Sequence, residues 1–151
     1  NFVYGNDIHQ NYETICGGTG AGNGFNGTSA VHSHMTNTRM TDPEVLETRF
    51  PVQVEEFAIR QGSGGGGAFT GGNGIVRRLR FLEPMTVTVL SSHRVVPPHG
   101  TAGGQSGAVG ENGIERANGQ VETLKGNDEA ELNTDDVFIM KTPGGGGYGA
   151  T

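Results

Sequence analysis

The sequence has no tryptophan and a single cysteine, Cys16. One cysteine excludes an internal disulfide framework and fits a reducing compartment. Charged residues are sparse, 17% of the chain, and lean acidic to a net of −6. That balance argues against generic binding to nucleic acid or to an anionic membrane surface. No apolar run approaches the ~20 residues that a helical span requires, so no membrane partner is expected. The sequence opens at Asn1 without a methionine or a charged-then-apolar leader, and it reads as a piece of something longer. Hydrophobic residues make up only 32%, yet they fall in short β-branched and aromatic runs that disordered chains lack. A length of 151 residues suits one domain with a modest core.

What is abundant is glycine, 28 residues of the 151, against a usual share of about 7%. The glycines keep no three-residue period, which excludes collagen. They gather in residues 17–24, 62–67, 71–74 and 144–147, where regular elements cannot persist and backbones can approach closely.

Between these runs the pattern is β. Residues 2–16 are extended in character, and residues 28–38 read as strand or irregular structure. Helix signals meet at one place only. Asp42 can cap, Pro43 takes the first helical position, Glu44 complements the dipole, and Pro51 stops the chain after about two turns. Val45 and Leu46 should form its buried side. Val52, Val54, Phe57 and Ile59 mark a strand, although Glu55-Glu56 breaks its alternation. In residues 75–82, Ile75, Leu79 and Phe81 share one face, with Arg78 and Arg80 on the other. Met85, Val87 and Val89 form the inward face of the next strand, and the two should pair as a hairpin around Glu83-Pro84. Asn118-Gly119 is the strongest short hairpin signal. Residues 136–141 make a last strand, stopped by Pro143. The count is about seven strands and one short helix, a mainly β, single sandwich-like domain with glycine-rich loops.

The chemistry-bearing patterns each admit a plain structural account as well. Gly22-Asn-Gly24-Phe-Asn-Gly27 matches G-x-G-x-x-G, but no helical pattern follows Gly27, so a dinucleotide site is not expected. There is no P-loop. His32-Ser33-His34 would project both imidazoles to one side if extended, toward a metal or substrate, with Glu13 and Asp42 as further oxygen donors. Alternatively, both histidines bond backbone carbonyls. Cys16 is either a nucleophile served by one of these histidines or a small buried hydrophobe. Arg77, Arg78 and Arg80 form either an anion site or, with Glu55, Glu56 and Glu83, cross-strand ion pairs. His93 and His99, flanking Pro97-Pro98, belong at the rim.

Several longer motifs together carry a resemblance. They are Tyr12-Glu-Thr-Ile-Cys-Gly-Gly18, Val31-His-Ser-His-Met-Thr-Asn-Thr-Arg39, Thr41-Asp-Pro-Glu-Val-Leu-Glu47, Arg60-Gln-Gly-Ser-Gly-Gly65 and Thr142-Pro-Gly-Gly-Gly-Gly-Tyr-Gly149. In this order they resemble the C-terminal part of the hydantoinase B/oxoprolinase family. Membership implies part of a larger cytoplasmic, oligomeric, ATP-dependent hydrolase of cyclic amides. Ring opening of 5-oxoproline to glutamate is the widespread activity; N-methylhydantoin hydrolysis and ketone carboxylation are the alternatives. An A half, fused or separate, would bind ATP and Mg2+, and the B half would handle the activated small-molecule amide, with a divalent metal. The resemblance places Glu13, His32, His34 and Asn37 beside the catalytic site, with His32 and His34 as metal candidates. A non-catalytic β module for assembling the two halves is the alternative of another class.

Overall fold

The computed structural model describes residues 1–34 and 36–151. Two antiparallel sheets carry the chain. The first has the order β2 (Gln10–Glu13), β1 (Phe2–Gly5), β5 (Met85–Leu90), β8 (Asn127–Leu132). The second runs β3 (Val52–Ile59), β4 (Ile75–Phe81), β9 (Val137–Lys141), β6 (Glu111–Glu115), β7 (Val121–Leu124). Their inner faces bury Phe2, Tyr4, Met85, Val87 and Val89 from one sheet with Leu79, Phe81, Ile114, Phe138 and Met140 from the other. Phe2 stacks on Phe138 at 4.5 Å, and Tyr4 meets Phe81 edge-on at 5.4 Å. A mainly β sandwich with one short helix is what the alternation predicts.

Helix α1 (Pro43–Arg49) forms where its signals lie, and Asp42 accepts the Glu44 N–H at 3.0 Å. Leu46 is fully buried, whereas Val45 is exposed, because seven residues offer too little apolar arc to bury two adjacent positions. In β3 the register slips between Val54 and Glu56, a bulge that resolves the broken alternation. It sets Phe57 and Ile59 opposite the inward-facing Arg77 and Ile75, on the same side as Val52 and Val54, although both stay partly exposed at this sheet edge. The 117–119 turn closes β6 on β7 as expected. Only Gly119 of the turn takes positive φ (+85°), which makes a three-residue loop with a left-handed glycine.

The expected pairing of strand 75–82 with strand 85–89 does not occur. β4 pairs with β3 and β9, and β5 pairs with β1 and β8. Glu83-Pro84 therefore bridges the two sheets instead of closing a hairpin. The reason is burial: both strands place every second residue in the core, so each completes a different sheet around it. β8 has the polar sequence Asn-Asp-Glu-Ala-Glu-Leu at a sheet edge, which leaves little apolar signal to read.

The glycine-rich segments build a second interior out of backbone. Residues 144–147 are buried throughout. A Cβ on Gly144 would overlap the Ser63 carbonyl, on Gly145 the Thr19 carbonyl, on Gly146 the His99 carbonyl, and on Gly147 the Gly66 carbonyl. Positions 144 and 147, three apart, thus meet Ser63 and Gly66, also three apart. A three-residue turn is the period of polyproline II, which has no internal hydrogen bonds and must bond its neighbours. Gly145 N–H donates to Gly72 O at 2.8 Å and Gly147 N–H to Gln105 O at 2.9 Å, while Ala21 N–H donates to Gly146 O at 2.9 Å. Glycine here is a requirement of close packing between five stretches of the same chain, around residues 19–21, 63–66, 72, 99–105 and 144–147.

Candidate functional site

Glu13 ends β2 at the point where the chain departs on a long irregular excursion, and it is 6% exposed. Its Oε2 accepts from Arg77 Nη2 at 3.1 Å, and its Oε1 accepts the Thr41 N–H at 3.2 Å. One carboxylate therefore ties the start of the excursion to its end and to the middle of β4. Above this clamp, Val31 N–H donates to Gly17 O at 3.1 Å, and Cys16 Sγ lies 3.6 Å from Met40 Sδ. His32 Nε2 is hydrogen-bonded to Thr14 O at 2.7 Å. The result is a cleft of about 380 Å³ whose walls include Cys16, His32, Arg39, Met40 and Phe57.

Of the four residues expected beside the chemistry, Glu13 is inside the clamp and His32 is on the cleft wall. His34 and Asn37 are exposed beyond it. The histidine motif is not a strand, since His34 takes a left-handed backbone conformation with φ +57°. The premise that both imidazoles project together from an extended segment therefore fails. Met35 of the same motif lies outside the described residues. No group of three or more His, Cys, Asp or Glu able to hold a metal ion occurs among the described residues. With the His32 Nε2 already engaged, this donor set does not fit a divalent metal by itself.

Cys16 is buried, and burial pushes its thiol above the ordinary range despite the nearby Arg77 charge. That suits a packed side chain better than an attacking thiolate. The 22–27 glycine pattern forms a tight turn, with Gly22 and Phe25 exchanging both backbone bonds and no helix following. His93 and His99 are exposed, as their setting suggests.

The three arginines divide. Arg78 pairs with Glu115 at 2.8 Å and Glu55 at 3.7 Å, and Arg80 pairs with Glu55, all across the outer face of the second sheet. Glu83 takes no part in these pairs. Arg77 points inward, 2% exposed, with its guanidinium 5.6 Å from the Phe57 ring. Its Nε and Nη1 have no partner among the described residues, and neither does the buried Tyr4 hydroxyl. Burial, with the Glu13 charge, holds that phenol far above its usual range. The inward direction was readable: Arg77 shares its parity with Ile75, Leu79 and Phe81. Grouping it with its charged neighbours hides that parity.

The hydantoinase B/oxoprolinase family profile matches residues 1–151. The chain is 46% identical over 149 residues to "5-oxoprolinase" of Dictyostelium discoideum, covering 99% of this chain and 12% of that protein. It is 52% identical over 145 residues to "5-oxoprolinase" of Saccharomyces cerevisiae, covering 91% of this chain and 11% of that one. Among solved structures, an ATP-dependent caprolactamase from Pseudomonas jessenii superposes with a TM-score of 0.76 at 22% identity, over 99% of this chain and 28% of that one. The chain thus spans only 11–12% of the length of these two relatives.

Proposed function

Because the chain belongs to the hydantoinase B/oxoprolinase family, we propose that it forms part of a larger ATP-dependent hydrolase of cyclic amides, with 5-oxoproline as substrate. The observation that carries this reading is identity of 46% and 52%, over nearly the whole chain, to proteins named for that substrate. The overall conversion is 5-oxoproline, ATP and two waters to glutamate, ADP and phosphate. A lactam is resonance-stabilised, and phosphorylating its oxygen activates the ring carbon, so that one water can add and the ring C–N bond can break with a proton going to the nitrogen. A second water then releases phosphate from the resulting acyl phosphate. ATP and Mg2+ belong to the partner half in this proposal, since no P-loop occurs here. The assembly is proposed to be cytoplasmic.

Within it, the 13–37 segment faces the reacting amide. Glu13 acts as a positioning residue, holding the excursion to β4 and α1, and His32 fixes the local backbone through Thr14. His34 and Asn37 are the side chains presented outward. Any metal held by the two histidines needs at least one ligand that the described residues do not supply. The reading as a non-catalytic assembly module is favoured by a different observation, the exposed Phe57 and Ile59 on edge strand β3.

The test of the activity is direct. A full-length protein carrying this segment should release glutamate and ADP in step from 5-oxoproline and ATP. The 151-residue chain alone should turn over neither. Ring opening without ATP, a preference for N-methylhydantoin over 5-oxoproline, or turnover by the chain alone would each overturn this reading.

A further inference from the structure

Among the described residues, the exposed Arg39 and Arg49 form no ion pair, and every arginine that is not exposed is matched to a carboxylate with one exception. Arg60, Arg77, Arg78, Arg80 and Arg116 each pair with Asp or Glu. Arg94, half-buried in the connection between β5 and β6, bonds only neutral oxygens. Its Nε and Nη2 both donate to Asn112 Oδ1, at 3.2 and 3.1 Å, and its Nη1 donates to Ser92 O at 2.7 Å. A guanidinium has five N–H groups. These bonds use three of them and leave one on each terminal nitrogen.

The surroundings are built for this side chain. A Cβ on Gly110 would overlap the guanidinium, so the glycine makes room for it. Asn112 is itself buried and held from its other side by Ser91 Oγ at 3.0 Å and Lys125 O at 3.1 Å, which fixes the oxygen that orients Arg94. Arg94 lines a cavity of about 220 Å³ together with Ser92, Leu90, Met140, Thr142 and Pro143. No Asp or Glu among the described residues lines that cavity. The Asn1 nitrogen, also at this cavity, donates to Leu90 O at 2.8 Å. Ile15 and Gly17 line this cavity while Cys16 lines the His32 cleft, so the two lie on opposite sides of one extended segment.

A cation half out of water with no counter-charge is unfavourable until something supplies one. The same imbalance is visible in its acidity: burial, and then the Arg60 charge, push Arg94 down to about 10. We propose that the Arg94 cavity is a binding site for a small oxyanion, a carboxylate or a phosphate group, gripped by the two remaining N–H groups of the guanidinium. Paired N–H donation to two oxygens is the geometry in which arginine exceeds lysine. The site does not depend on the proposed ring-opening activity.

The test is a titration of the full-length protein carrying this segment with sodium phosphate and, separately, sodium acetate, balanced with chloride to constant ionic strength. The Arg94 side-chain 15N–1H resonances report occupancy. At least one of the two anions should give a saturable shift at millimolar concentration, and which one does so separates phosphate from carboxylate. Arg94→Gln should abolish the response, and Arg94→Lys should weaken binding by at least about tenfold. Should Arg94→Gln fail to fold, the wild-type melting temperature decides, because the binding anion must raise it above the value in chloride alone. Shifts that never saturate, that chloride reproduces, or that survive Arg94→Gln overturn the proposal, as does a melting temperature unmoved by both anions.

Discussion

Glu13 shows how a residue chosen for chemistry can turn out to be architecture. Its carboxylate and the Arg77 guanidinium are 5% and 2% exposed, so neither charge is tolerable without the other. Glu13→Gln keeps the shape and removes the counter-charge. It should lower the unfolding free energy by about 3 kcal/mol or more, measured by urea denaturation. The Glu13→Gln/Arg77→Met double variant should recover much of that loss, because it removes the buried cation too. Equal stability of wild type and Glu13→Gln would show that the pair does not hold the excursion. The sequence made Glu13 conspicuous through its motif, but its partner lies 64 positions away. Only the inward parity of Arg77 hinted at the pairing. His32 bears out the alternative in which the histidine bonds a backbone carbonyl, but the carbonyl it uses, that of Thr14, lies 18 residues away in sequence and is not named by any local signal.

At the scale of elements, what was legible followed from period and punctuation. The α1 cap, the Asn118-Gly119 turn and the alternating face of β4 each rest on residues within a few positions of one another. Strand partners do not. Nothing near Glu83-Pro84 records that β4 and β5 join different sheets, since that choice is made by the core they share. The glycine segments were the most visible feature and the least understood. They read as loops where backbones can approach closely, but not as loops that approach one another and pack through backbone alone. Gly145→Ala should therefore cost at least about 3 kcal/mol, the upper range of overpacking, because its Cβ meets the rigid Thr19 carbonyl. Gly20→Ala, whose Cβ would sit 3.8 Å from Gly146 O, should stay within about 0.5 kcal/mol or stabilise slightly. Thermal denaturation of the two variants separates backbone packing from mere loop flexibility, and equal effects would contradict it.

Across the whole molecule, a sandwich and a polyproline II-like glycine bundle together support the 13–37 segment. The bundle contacts that segment at Thr19 and Ala21, and the sandwich contacts it at Glu13, so the segment is held from both sides. Such anchoring is what precise presentation of side chains to a substrate requires. The measurement that tests this most directly is steady-state turnover of 5-oxoproline by a full-length enzyme bearing His34→Ala. His34 is exposed, so its removal should leave the melting temperature unchanged. The turnover number should fall at least about tenfold, ~1.4 kcal/mol in the barrier. His32→Ala should lower turnover as well, with a modest loss of thermal stability from the broken Thr14 bond. Wild-type turnover in both variants would contradict the account and leave the 13–37 segment as scaffold.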